Sequence, residues 1–275
     1  MITSDGEMVA QLCAQRAGLK VDAEKVYLME NRLANLARRE GYGEVAEMLA
    51  ALQARREDRL AWAVVEAMTA SETTFFRDRA PFDLFAREIL PSLASLRMGE
   101  PIRVWSAACG AGQEIYSLAM IVDEMRGELG ETKVELFGSD LSERNLERAQ
   151  AGRYSQFEIQ RGLPIRRLVN HFEKDEESWT ISARLRQMVR WRRVNLISDL
   201  SAAGRFDVIF CRYLLCQLTA EAKPRLLANL ARAISPEGFV VLGEGESAQG
   251  LSDAFQPVSG RPGLFARNPA FRAAA

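Results

Sequence analysis

Over the first seventy residues, apolar side chains recur at helical spacing, as at Val26, Met29, Leu33 and Leu36, in a background rich in Ala, Leu, Arg and Glu without proline. Gly18, then Gly41 with Gly43, then the polar run at 55–58 interrupt this rhythm, so about four short helices are expected in a helical domain over residues 1–70. From residue 102 the pattern changes to short apolar runs separated by helical stretches, the signature of a largely parallel sheet. Strands are expected at 102–108, 134–139, 189–194, 206–211, 239–243 and 263–267, and helices at 113–125, 143–151 and 220–234. Between 154 and 190 the alternation stalls. A polar stretch around 174–178 there separates segments too irregular for one crossover helix, which marks an inserted subdomain. The expected fold is α/β: a Rossmann-like domain over 71–275 with that small insertion, preceded by an all-α domain.

Composition adds little to this picture but closes several alternatives. The 275 residues are 48% hydrophobic and 27% charged, as in ordinary globular chains of two unequal domains. A net charge of −1 gives no global attraction to nucleic acid or to an anionic membrane, so any basic contact is local. Cys13, Cys109, Cys211 and Cys216 lack CxxC spacing and sit among apolar residues, which suits reduced, buried thiols in a reducing compartment rather than zinc or disulfides. No apolar run reaches membrane-spanning length, and the N-terminus, with Asp5 and Glu7, has no signal-peptide character. A cytoplasmic protein without direct membrane binding is expected.

The segment IRVWSAACGAGQEIYSLAM, at 102–120, runs from a buried strand through a small-residue turn into an amphipathic helix. Gly110 and Gly112 let a ligand approach the backbone, and the N–H groups opening the helix are available donors. An isolated GxG serves a tight turn equally well. Ile115 occupies the third glycine position of the dinucleotide fingerprint, which argues against a pyrophosphate. Glu114 at the helix start would repel a phosphate and favour a sulfonium or ammonium, although an acid there also simply complements the helix dipole. Asp140, in LFGSDLS, ends the second strand where an acid can accept from ribose hydroxyls; capping the helix near Ser142 is its other reading. A ribose without phosphate contacts points to an adenosyl sulfonium. Upstream, SETTFFRD at 71–78 joins the domains, with Arg77 either offering a fork to a carboxylate or lying on the surface beside a hydrophobic staple. His171 has no accompanying ligands and reads as structural, and Trp105, Tyr116, Trp179 and Trp191 read as packing residues.

Together, TTFFRD, VWSAACGAGQEIYSLAM, GSDLSERNLERAQAGRY, FEIQRGLP, VNL and FDVIFCR, in this order and spacing, resemble the CheR-type chemoreceptor glutamate methyltransferases over roughly residues 27–267. The resemblance implies an S-adenosylmethionine-dependent methyltransferase domain that yields S-adenosylhomocysteine. It places Ser71, Thr73, Arg77, Ala108, Gly112, Glu114, Asp140 with Leu141, Asn195 with Leu196, and Cys211 with Arg212 around the cofactor. It also makes Arg77 the catalytic residue facing the substrate carboxylate. A glutamate side chain, with a pKa of about 4.3, is ionised at neutral pH and needs alignment and desolvation rather than a general base.

Three positions depart from the family pattern: Ser71 and Tyr213 stand where asparagines are usual, and Gln217 where a tyrosine lies near the transferred methyl. The last departure supports an alternative, a catalytically weakened regulatory or scaffold protein of a chemosensory array that retains the cofactor pocket. Some family members carry a glycine-rich loop in the insertion that grips a receptor C-terminal peptide by strand addition. Here the segment reads EKDEESW, so no pentapeptide tether is expected. The receptor's acidic cytoplasmic helices would instead meet Arg32, Arg38 and Arg39, with Arg55, Arg56 and Arg59 further on. Glu30, Glu40 and Glu57 would otherwise make this an ordinary solvated face. A dinucleotide oxidoreductase is opposed by Glu114 and Ile115, and a nucleic-acid methyltransferase by the lack of an extended basic groove.

Overall fold

The computed structural model describes residues 3–22, 26–55, 57–69, 72–97 and 99–271. The chain forms two compact units, one of Met1–Ala70 with Leu215–Leu226, the other of Ser71–Leu214 with Leu227–Ala275.

The first unit contains α1 (Thr3–Ala17), α2 (Val26–Arg39), α3 (Val45–Arg55) and α4 (Asp58–Met68), broken where the glycines and the polar run fall. Helical periodicity explains its packing: α2 turns Met29, Leu33, Leu36 and Ala37 inward and leaves Tyr27, Leu28, Arg32, Arg38 and Arg39 exposed. Val9 and Cys13 of α1, Met48 and Leu49 of α3, and Leu60 and Val64 of α4 complete the core. Burial pushes the Cys13 thiol up to about 12, so it stays protonated and inert. After α1 the chain pairs with a distant segment. Lys20 N donates to the Gln217 carbonyl at 2.8 Å, Thr219 N donates to the Gly18 carbonyl at 2.8 Å, and Leu19 bridges Leu218 between them. This short antiparallel ladder draws 215–226 into the helical unit.

The second unit opens with α5 (Ala80–Leu84), a π-helical turn at Phe85–Ile89, and α6 (Leu90–Arg97). The alternation follows: β1 (Ile102–Ala107), α7 (Gln113–Glu124), α8 (Arg126–Leu129), β2 (Val134–Asp140) and α9 (Glu143–Ala151). The insertion comprises β3 (Arg153–Ser155), α10 (Gln156–Gln160), α11 (Ile165–His171), β4 (Phe172–Asp175), β5 (Ser178–Ile181) and α12 (Ala183–Met188). The chain then completes the main sheet with β6 (Val189–Arg193), β7 (Phe206–Cys211), α13 (Ala222–Ala233), β8 (Ile234–Leu242), β9 (Phe255–Pro257) and β10 (Leu264–Arg267).

The main sheet runs β6-β2-β1-β7-β8-β10-β9, parallel from β6 to β8, with β10 antiparallel to both neighbours. Val104 of β1 faces Leu136 on one side and Val208 on the other, all fully buried, which accounts for the unbroken apolar runs in the sequence. Strand order reverses between β1 and β7. Ligands of doubly wound sheets bind beyond the carboxyl ends of the strands at that reversal. The Rossmann-like expectation is therefore met, and the switch point lies where the glycine turn leaves β1.

Several details differ from the sequence reading. The polar stretch read as a separator is a hairpin: β4 and β5 join through Glu176 and Glu177, and β3 pairs with β5 to give a three-stranded antiparallel sheet. β8 begins at Ile234 rather than 239, because Pro236 and Gly238, which resemble a turn, occupy a register shift opposite Phe206 and Val208. Helices α5 and α6 and strand β9 were not anticipated, since the first two meet at a π-turn and the last has too few residues to show alternation. His171 is buried, its Nε2 3.5 Å from Glu124, in agreement with a structural role. Among the described residues no helix is long and apolar enough to cross a membrane, and no cluster of His, Cys, Asp and Glu could hold a metal.

Candidate functional site

Beyond Ala107 the backbone enters the left-handed region at Ala108 (φ 62°), Gly110 (φ 56°) and Gly112 (φ 93°). Ala108, having a Cβ, is strained there by an amount of order 1 kcal/mol. The turn is held firmly. Cys109 N donates to the Ser139 carbonyl at 2.9 Å, Gly112 N to the Cys109 carbonyl at 3.0 Å, and Tyr154 Oη to the Ala111 carbonyl at 2.9 Å. A Cβ at Gly112 would lie 2.9 Å from the Cβ of Ala149, so this glycine also lets α7 approach α9.

Asp140 closes the turn from the neighbouring strand. Its Oδ2 accepts from Gly110 N at 2.9 Å, and its Oδ1 from Ser142 N at 2.9 Å and Asn145 Nδ2 at 3.2 Å. Burial raises its pKa above the ordinary aspartate value, and those three donors oppose the rise. The cap of α9 is Ser142, whose Oγ accepts from Asn145 N at 3.3 Å, so the capping reading of Asp140 fails. Arg193 Nε fixes the Leu141 carbonyl at 3.0 Å. After β6, Asn195 Oδ1 accepts from Ile197 N at 3.3 Å, while Asn229 of α13 donates to the carbonyls of Leu196 (2.9 Å) and Ser198 (2.7 Å).

At the end of β7, the side chain of Arg212 is 2% exposed. Its Nη1 donates to Glu114 Oε2 at 3.1 Å, and its Nη2 to Asp78 Oδ2 at 2.5 Å and to the Arg77 carbonyl at 2.9 Å. Ser106 Oγ donates to the other Glu114 oxygen at 2.8 Å. Glu114 is thus ion-paired rather than isolated at the start of α7. Tyr213, also left-handed (φ 59°), donates its hydroxyl to Asp78, and its N–H and that of Gly243 converge on Glu246 Oε2 at 2.6 and 2.9 Å. The Arg77 guanidinium lies 3.6 Å from the centre of the Tyr213 ring, with Nη1 donating to the Glu72 carbonyl at 2.8 Å.

The structure therefore gathers Arg77, Ala108, Gly112, Glu114, Asp140, Leu141, Cys211 and Arg212 at the carboxyl ends of β1, β2 and β7 and the segment that precedes α5. Thr73 belongs to that segment, Asn195 and Leu196 follow β6, and Ser71 lies outside the described residues. Sequence reasoning missed Asp78, Asn229 and Glu246. Asp78 adjoins Arg77 in TTFFRD, and Glu246 follows the last parallel strand in GEGES, but neither carries a recognisable spacing. Cys109 and Cys211 are buried with raised pKa values, chiefly through desolvation, and are not thiolate nucleophiles, whereas Cys216, expected to be buried, is exposed. Carboxylates from Asp78, Glu114, Asp140 and Glu246 outnumber the guanidiniums of Arg77 and Arg212, a balance that suits a cationic ligand carrying a ribose and disfavours a diphosphate.

A glycine turn at the sheet's reversal, a buried acid at the tip of the next strand and an acid-rich wall define a domain of the S-adenosylmethionine-binding class. The family description "CheR methyltransferase, SAM binding domain" matches residues 71–264. The chain is 35% identical over 268 residues to Chemotaxis protein methyltransferase 1 of Pseudomonas aeruginosa, covering 96% of this chain and 97% of that protein. It is 33% identical over 265 residues to Chemotaxis protein methyltransferase Cher2 of Pseudomonas putida, covering 95% and 96%. Among solved structures, PKMT2 from Rickettsia typhi in complex with AdoHcy aligns over 63% of this chain and 26% of that one, with 15% identity and a TM-score of 0.38. The chain belongs to the CheR methyltransferase family, and its cofactor is S-adenosylmethionine.

Gly112→Ala should destabilise the chain by about 1–3 kcal/mol, since the new methyl meets Ala149 and the φ disfavours it. Urea unfolding monitored by circular dichroism measures this, and a variant with an unshifted midpoint would contradict it.

Proposed function

We propose that the chain transfers a methyl group from S-adenosylmethionine to glutamate side-chain carboxylates on the cytoplasmic helices of a bacterial chemoreceptor, forming glutamate methyl esters and S-adenosylhomocysteine. The observation that carries this reading is Arg77. Among the described residues its one hydrogen bond runs from Nη1 to the Glu72 carbonyl, so the remaining donors of the guanidinium fork can take a carboxylate. The bound cofactor supplies an electrophilic methyl. A substrate carboxylate, already ionised, would need no base to accept that methyl, and Arg77 would act as the catalytic residue by orienting the carboxylate. Thr73, Ala108, Gly112, Glu114, Asp140, Leu141, Asn195, Leu196, Cys211 and Arg212 would line the cofactor, with Ser71 completing the set. Purified chain, tritiated S-adenosylmethionine and the host's receptor fragments should yield base-labile label released as methanol; stable label would reject a carboxyl ester.

The exposed face of α2 is the proposed docking surface, and the enzyme would act in the cytoplasm. Arg32 also donates to the Met68 carbonyl at 2.9 Å, and Glu40 draws in Arg39 and Arg59, which leaves Arg38, bound only to Asn35 among the described residues, as the most available cation. Tyr27 and Leu28, 73% and 51% exposed, give the same helix an apolar edge for an amphipathic partner. Reversing Arg38 and Arg39 to glutamate should slow receptor methylation about tenfold at low salt, with S-adenosylhomocysteine affinity intact. Unaltered kinetics would exclude this face.

No pentapeptide tether is part of this reading. The edge strand β4 presents exposed Glu173, Lys174 and Asp175, which protects it against strand addition. Calorimetric titration with a receptor C-terminal pentapeptide should show no binding near micromolar strength, and a clear isotherm would refute it. Gln217, at the family's tyrosine position, favours a second reading, a weakened scaffold. Tight S-adenosylhomocysteine binding without methanol release from any receptor of the host would establish that one.

A further inference from the structure

Tyr213 is costly where it stands. Its φ of 59° is a conformation that a bulky residue adopts with strain and that asparagine adopts readily. The surroundings nevertheless over-determine it. Glu246 accepts from its N–H at 2.6 Å and from Gly243 N at 2.9 Å, and a Cβ at Gly243 would come within 2.9 Å of the Tyr213 nitrogen. At the other end, the phenol donates to Asp78, the carboxylate that also receives Arg212. Desolvation, and then the Asp78 carboxylate, hold the phenol above its usual pKa, so the ring stays neutral at physiological pH.

What this posture achieves is a stack. The Arg77 guanidinium carbon sits 3.6 Å from the ring centre, well inside cation–π range, while the Glu72 carbonyl holds Nη1 from the side. A long arginine otherwise samples many rotamers, and a fork that must meet a carboxylate in line with a methyl loses rate when it wanders. The ring removes that freedom without using any of the donors that the substrate needs. Asparagine could not do this.

We propose that Tyr213 is a positioning residue that clamps Arg77 face-on and leaves its fork aimed at the substrate carboxylate. The proposal rests on the glutamate-transfer reading and deepens it. Asp78, which accepts from the phenol, helps to set the ring's angle.

The test compares Tyr213→Asn, Tyr213→Leu and Tyr213→Phe in the full chain, using a chemoreceptor cytoplasmic fragment from the host as methyl acceptor. Tyr213→Asn should melt no lower than the parent, because the backbone strain is relieved, yet its kcat should fall about five- to tenfold. The Kd for S-adenosylhomocysteine should stay within about twofold of the parent, a split that a merely structural residue would not produce. Tyr213→Leu should lose rate like asparagine, and Tyr213→Phe, which keeps the ring, should recover most of it. In an Arg77→Ala background, Tyr213→Asn should cause no further loss. An active parent whose asparagine and leucine variants keep full kcat, or lose the same factor without Arg77, would overturn the proposal alone. A parent that releases no methanol from the receptor would overturn the transfer reading, and the catalytic role of the clamp with it.

Discussion

A buried guanidinium organises this site. Arg212 leaves the end of β7 with almost no solvent contact and must place its charge against something. It meets Glu114 from the first turn of α7 and Asp78 from the segment before α5, so three stretches far apart in sequence close around one cation. Loss of one partner from such a buried pair typically costs about 3–5 kcal/mol, which makes the arrangement close to obligatory. Helix α7 contributes as well, since a carboxylate in its first turn meets the positive end of the helix dipole. The position of Asp78 in turn sets Tyr213, and Tyr213 meets Arg77. The catalytic proposal thus depends on a cation that does not itself need to touch substrate.

The second constraint is steric. The turn after β1 can be short only because residues without large side chains pass there, and Gly112 lets two helices converge behind it. Asp140 uses both oxygens to hold backbone N–H groups, and with Asn145 also on Oδ1 the acceptor capacity that remains for the proposed ribose contact is on Oδ2. The groups proposed to bind the cofactor also brace the turn, so Gly112 and Asp140 read equally well in the sequence as turn formers and as ligands.

The strands and helices around the sheet's reversal were legible because each has a plain pattern: β1, β7 and α7 are buried almost throughout and read as apolar runs, while α9 buries positions at helical spacing. Less legible were elements whose partners are remote. Strand β8 carries a proline and a glycine that imitate a turn, and only pairing with β7 across a register shift makes them strand. The hairpin at 174–178 looked like a polar loop because β4 beyond Phe172 and the turn at Glu176 and Glu177 are exposed and charged. In the site, Arg77, Glu114 and Asp140 could be picked out by charge at motif positions. Asp78, Glu246 and Asn229 could not, because each works through a backbone group or a neighbour that only the tertiary structure supplies. The ion pair of Glu114 with Arg212 likewise joins residues nearly a hundred positions apart.

The ladder between 18–20 and 217–219 bears on how the molecule can be divided. Residues 215–226 share a compact unit with the N-terminal helices, so the polypeptide enters that unit twice and helix α13 begins in one unit and ends in the other. Cutting at residue 70 would strip Leu215, Leu218 and Leu226 of their unit's remaining members and uncover apolar side chains that are now buried. The helical module is therefore not a simple N-terminal cassette: a swap or fusion that keeps its core intact has to carry this returning piece along.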